Sequence, residues 1–193
     1  MAHGSPTAYL LLGRALDKIQ PVVDEIKTID PSITVKFYKT ELDSLTSVRS
    51  VAQNILEDFS VPKIDVMVNN AGIMACPYEK TKDGLEMQFG VNHISHFLLT
   101  NLLMPKILAA GPGARVVNIS SYGNIMSDIR YEDPGFHNGE VYNPWLAYGQ
   151  SKAANILMAV SLNGKLGKKG VRAYALNPGS QYSYAPELLV FGS

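Results

Sequence analysis

Apolar positions along the chain switch between two periods. Tyr9, Leu10, Leu11 and Leu12 form a short apolar run closed by Gly13, which predicts a buried strand. Over residues 15–28, Ile19, Val22, Val23 and Ile26 recur at helical intervals, and Pro31 stops that helix. Residues 33–38 alternate and are β-branched early, which predicts a strand. Residues 46–59 read as an amphipathic helix through Val48, Val51, Ile55 and Phe59. A strand over 64–68 runs into Asn69-Asn70-Ala71-Gly72, and 84–108 is a long, mostly helical stretch. Gly111-Pro112-Gly113 marks a turn before a strand over 115–119. A helix over 143–166 and a strand over 171–176 lead to Asn177-Pro178-Gly179. Strands alternate with helices throughout, so the expected class is α/β: one domain with a doubly wound parallel sheet covered by helices on both faces. Residues 121–148 form a long connection rich in Gly, Pro and Asn, of the kind that lines a substrate mouth.

The 193 residues suffice for one domain with a real core. Lys+Arg and Asp+Glu both number 17, so no net field favours nucleic acid or an anionic surface. No apolar run approaches the roughly 18 residues of a membrane span, and the start resembles no signal peptide. The single Cys76 forms no internal disulfide, which fits a reducing, cytoplasmic setting. His93 and His96 stand three apart with no third ligand in view, so no metal is expected. Leu98, Leu99, Leu102 and Leu103 read as core or as a helix-packing face for a homo-oligomer.

Candidate chemistry sits in three segments: Asn69 to Gly72, Asn118-Ile119-Ser120-Ser121, and Tyr148-Gly149-Gln150-Ser151-Lys152. A Tyr and a Lys four apart share one helix face. Alone, that pair is commonly a surface tyrosine beside a snorkelling lysine. Here both other segments end strands, and ligands of open α/β sheets bind beyond the carboxyl ends of strands. A Ser at such an end can hydrogen-bond a substrate oxygen, and a lysine charge beside a tyrosine stabilises its phenolate. Together these groups form an acid–base device for carbonyl and alcohol redox. Trp145, just before Tyr148, either lines the mouth or covers the core.

With these motifs the chain resembles a classical short-chain dehydrogenase/reductase, closest to the retinol-dehydrogenase-like and WW-domain-oxidoreductase-like branch, from Tyr9 to about Ser183. The resemblance implies a three-layer Rossmann-type sheet and an oxidoreductase moving hydride between NADP(H) and an alcohol or carbonyl substrate. It assigns Asn92, Ser121, Tyr148 and Lys152 to catalysis. It assigns Arg14, Asp43, Asn70, Ala71, Gly72, Tyr148, Lys152, Pro178, Gly179 and Ser183 to cofactor binding. Arg14 follows the first strand, where a basic residue suits a 2′-phosphate, so the resemblance implies NADP over NAD. The family opens with a strand and T-G-x-x-x-G-I-G, and nothing in this chain matches it. Residues 1–8 therefore read as a non-family start, and 9–193 as a partial domain lacking the first βα unit and the C-terminal strand. The alternative expectation is a catalytically inactive truncated fragment or pseudoenzyme without the pyrophosphate loop.

Overall fold

The structure, a computed structural model, describes residues 6–179. These fall into two compact units that meet in sequence between Glu41 and Leu42.

The first unit is one βαβ turn. β1 (Ala8–Gly13) and β2 (Thr34–Lys39) pair in parallel, from Ala8 opposite Thr34 to Gly13 opposite Lys39. Between them runs α1 (Leu16–Ile29). Ile26 and Ile33 are buried against Tyr9, Leu11, Val22 and Val35, so the predicted helical stripe is the face that packs. Pro21 lies inside α1, five residues past its start. Parallel strands need such a crossover, and burial of this stripe is what a helix of this length requires to persist.

The second unit carries a three-stranded parallel sheet in the order β3 (Val66–Asn69), β4 (Arg115–Ile119), β5 (Arg172–Leu176). Among the described residues no strand joins the two sheets, so β1 pairs only with β2 and β3 only with β4. The fold is α/β and of the Rossmann type, as the alternation of periods predicts. α2 (Leu45–Glu57) buries Val48, Val51 and Ile55, and Ser44 Oγ caps it by accepting the Ser47 N–H at 3.2 Å. Phe59 differs from expectation. The helix ends before it, and the side chain is 98% exposed.

The stretch 84–108 is also not one helix. Its turns are α3 (Met87–Phe89), a π-helical segment (Gly90–Ile94), α4 (Ser95–Leu102) and α5 (Met104–Ala109). Glu86 opens the series by accepting the N–H groups of Gln88 and Phe89. Pro105 stands in the first turn of α5; lacking an N–H, it forces a restart after Leu103. The π segment is an extra residue in the helical winding, a geometry frequent at functional sites. It carries Asn92.

α6 (Pro144–Leu166) packs on β4 and β5. Asn143 caps it by accepting from the N–H groups of Trp145 and Leu146. The connection 121–143 is firmly held. The fully buried Gln150 of α6 accepts the Arg130 N–H and donates to Pro134 O. Arg130 pairs with Asp133 at 2.8 Å and stacks over the buried ring of Phe136. No described helix is long and apolar enough to cross a membrane.

Candidate active site

The site lies at the carboxyl ends of β3 and β4, where α6 crosses them. Ser120 and Ser121 follow β4 directly. Ser120 Oγ donates to Lys152 O at 2.9 Å, fastening the strand end to α6. Ser121 caps a 3-10 turn (Tyr122–Met126), its Oγ accepting the Gly123 N–H at 3.1 Å. That contact occupies a lone pair and leaves the hydroxyl proton to be donated elsewhere.

Tyr148 is half-buried, and Lys152 one turn on is buried at 4% exposure. Lys152 Nζ lies 5.5 Å from the Tyr148 ring centroid and donates to Ile119 O at 3.0 Å. Among the described residues this is its only hydrogen-bond acceptor, so two of its three donors remain for a ligand. Burial pushes the ammonium down to about 8 from its ordinary 10.5.

Asn92 is fully buried. Its amide clamps Ile73 through both backbone groups, accepting the N–H at 2.8 Å and donating to the carbonyl at 2.9 Å, and it also donates to Ser151 Oγ. A Cβ placed on Gly72 would lie 3.0 Å from Asn92 Oδ1 and 3.4 Å from Lys152 Nζ. Gly72 is therefore the backbone that closes on these two side chains, and only glycine leaves that space open.

Asn155 joins the set without a sequence signal beyond its spacing, three residues after Lys152 and seven after Tyr148 on the same face. Its Nδ2 donates to Asn92 O and Ile119 O, each at 3.1 Å, so it shares the Ile119 carbonyl with Lys152. Its Oδ1 then faces His93 Nδ1 at 3.0 Å, which places the imidazole proton on that nitrogen. Further back, Asn69 donates to Asn118 Oδ1, and Asn118 donates to Asn155 O. This buried amide ladder ties β3, β4 and α6 together.

Asp43 is paired with Lys82 at 3.6 Å. Asn70 is exposed and Ala71 is buried. Pro178 and Gly179 follow β5 and are exposed, with Gly179 at φ +82°. Arg14 belongs to the first unit, exposed just after β1. Ser183 lies outside the described residues. No group of three metal-ligating side chains occurs among the described residues.

Comparison with known proteins decides the family. The sequence model of the short chain dehydrogenase family matches residues 3–131, about two thirds of the chain. The chain belongs to the short chain dehydrogenase family. It is 39% identical to human retinol dehydrogenase 13 over 170 residues, covering 88% of this chain and 50% of that protein. With human retinol dehydrogenase 11 it shares 41% over 173 residues, 88% of this chain and 52% of that one. The chain thus spans about half the length of the curated relatives it matches. Among solved structures, an uncharacterized protein of Mycobacterium paratuberculosis aligns with a TM-score of 0.70 at 33% identity, covering 93% of this chain and 69% of that one. The NADPH-bound carbonyl reductase from chicken fatty liver shares the short chain dehydrogenase fold, with a TM-score of 0.63 at 20% identity, covering 90% of this chain and 69% of its own.

A buried histidine on the helix beside the site adds an acid-side loss of stability. His96 is fully buried, and burial pushes it down to about 4 from 6.5, while its Nδ1 donates to Asn92 O at 3.1 Å. The folded state therefore binds fewer protons than the unfolded chain between pH 6.5 and 4. Stability from this group is complete above pH 6.5 and is lost as pH falls toward 4, by about 3 kcal/mol. His93 is shifted down by burial as well and adds in the same direction. Urea titrations at pH 7 and 4.5 should show this loss, and His96→Asn should flatten it; an unchanged slope in the variant would contradict the assignment.

Proposed function

We propose that this chain supplies the acid–base site of an NADP-dependent oxidoreductase acting on an apolar alcohol or its carbonyl counterpart. The observation that carries the reading is a chain of contacts: Asn92 and Lys152 close on the Gly72 backbone, Ser121 and Tyr148 close on the Gly123 backbone, and Lys152 Nζ lies 5.5 Å from the Tyr148 ring. These contacts favour the enzyme over an inactive fragment.

In the reductive direction the carbonyl oxygen accepts the Ser121 hydroxyl, whose own acceptor side is held by the Gly123 N–H. A bound nicotinamide cofactor would supply the hydride. As the carbonyl carbon is reduced, its π pair moves onto oxygen, and Tyr148 delivers the proton that oxygen needs. The phenolate left behind faces the buried Lys152 charge, which stabilises it in a site of low dielectric. Solvent then returns the proton. Oxidation is the same sequence reversed.

The residues fit such a cofactor. The two unfilled donors of Lys152 suit ribose hydroxyls, and the space kept by Gly72 lies against them. Pro178 and Gly179, at the end of β5, are assigned to the nicotinamide side, and Asn70, Ala71 and Asp43 to the adenosine side. Arg14, at the end of β1, is assigned to a 2′-phosphate. Apolar side chains flank the catalytic pair: Tyr122, Ile125 and Met126 on the 3-10 turn and Trp145 one turn before Tyr148, all exposed. They suit an apolar substrate. The exposed Phe97, Leu157 and Val160 on α4 and α6 suit a second copy of the chain.

The test is turnover by the protein, followed as loss of NADPH absorbance with long-chain aldehydes. NADPH should be used in preference to NADH. Arg14→Ala should remove that preference, because a charge-assisted contact contributes about 1.5–3 kcal/mol, or roughly tenfold or more in affinity. Equal affinities in the parent protein would sink the NADP assignment. No turnover with either cofactor would sink the enzyme reading.

A further inference from the structure

Gly123 has no conformational reason to be glycine, since it does not adopt a positive φ. Its reason is steric. A Cβ placed there would lie 2.8 Å from both Cδ1 and Cε1 of Tyr148 and 3.6 Å from Ser121 Oγ. Real Cβ atoms do not approach carbon so closely, so alanine at this position must displace the ring. The same residue donates its N–H to Ser121 Oγ. On the other side, a Cβ on Gly149 would meet Gly123 O at 2.7 Å, so the 3-10 turn lies directly on the backbone of α6 beside Tyr148.

We infer that Gly123 is the positioning residue of this site: one backbone unit, lacking a side chain, seats both the Ser121 hydroxyl and the Tyr148 ring. The inference rests on the proposed reaction for its consequence, but not for its geometry. The ring of Tyr148 lies against the Gly123 backbone, and the Lys152 ammonium is 5.5 Å from its centroid. Lateral motion of the ring carries its hydroxyl out of line with the oxygen that Ser121 holds. A misplacement of about 1 Å is enough to cost on the order of 100-fold in rate.

Two measurements test this, and they separate its failure from that of the proposed reaction. The first is a thermal-unfolding cycle, which needs no turnover. Gly123→Ala should lower Tm by about 4 °C or more in the parent protein and by little in a Tyr148→Ala background, where the ring is gone. If Gly123→Ala alone does not fold, Tyr148→Ala should restore folding. An equal loss in both backgrounds, or none in either, overturns the inference. The second is steady-state kinetics. Gly123→Ala should reduce kcat by roughly 10- to 100-fold with KM little changed. Gly164→Ala, on the open exposed face of α6, should leave kcat as it was. A Gly123→Ala protein with parental kcat overturns the inference even if Tyr148→Phe is inactive. Full activity in Tyr148→Phe sinks the reaction and leaves the thermal cycle to decide the seating alone.

Discussion

Tyr148→Phe should lower kcat by roughly 10²–10⁴-fold, the usual worth of a positioned general acid. The substitution is narrow. Phenylalanine keeps the ring that lies over Gly123 and near the Lys152 ammonium, so packing on both sides survives. It deletes one O–H, the proton that the proposed reaction hands to the nascent alkoxide. Ser121 stays hydrogen-bonded to Gly123 and continues to hold the substrate oxygen, so KM should change far less than kcat. Steady-state rates on the two proteins, with Tm compared to exclude misfolding, check this. A variant retaining its full turnover would place the proton donor elsewhere.

Lys152→Met should produce the opposite signs in function and stability. A buried ammonium pushed down to about 8 from 10.5 reports a cost to the folded state of about 3 kcal/mol at pH 7. Methionine fills a similar volume without that charge. Its loss strands no acceptor, because Ile119 O still receives the Asn155 amide at 3.1 Å. The cation–π contact with Tyr148 is forfeited, worth roughly 1 kcal/mol. The variant should therefore be more stable at pH 7 by about 1–2 kcal/mol, while turnover collapses with the loss of phenolate stabilisation. The sign with pH follows. Between pH 8 and 10.5 the unfolded chain binds more protons than the folded one, so parental stability rises through that window. In Lys152→Met this rise should vanish. Denaturant titrations at pH 7 and 9.5 test both points, and a variant less stable than the parent at pH 7 would contradict them.

Local chemistry made much of this legible from sequence. Tyr148 and Lys152 meet because a helix brings residues four apart onto one face, and Asn143 and Pro144 announce where that helix begins. The strands 8–13, 34–39, 115–119 and 172–176 fall within a residue of where short apolar and alternating runs predict them. Other features depend on contacts between distant segments, which periodicity does not carry. The stretch 84–108 is mostly helical, as its spacing predicts, but the π turn at Asn92 and the restart at Pro105 that divide it carry no sequence period of their own. Phe59 completes a helical stripe on paper, yet the chain turns out at Asp58 and leaves it in solvent. Gly123 carries no signal as a lone glycine after two serines; its meaning comes from the helix that folds against it 25 residues later. Asn155 is legible only once Ile119 and Asn92 are known to present their carbonyls to the same side chain.

The most direct test of the site is the fate of a label. The full protein should be supplied with NADPH deuterated at the transferring position of the nicotinamide and with a long-chain aldehyde. Mass spectrometry of the alcohol then counts deuterium at the carbinol carbon. One deuterium per turnover is expected, at a rate that falls by at least about 100-fold in Tyr148→Phe. Alcohol formed without deuterium, or labelled alcohol formed equally fast by Tyr148→Phe, would contradict the assignment of Ser121, Tyr148 and Lys152 to carbonyl reduction.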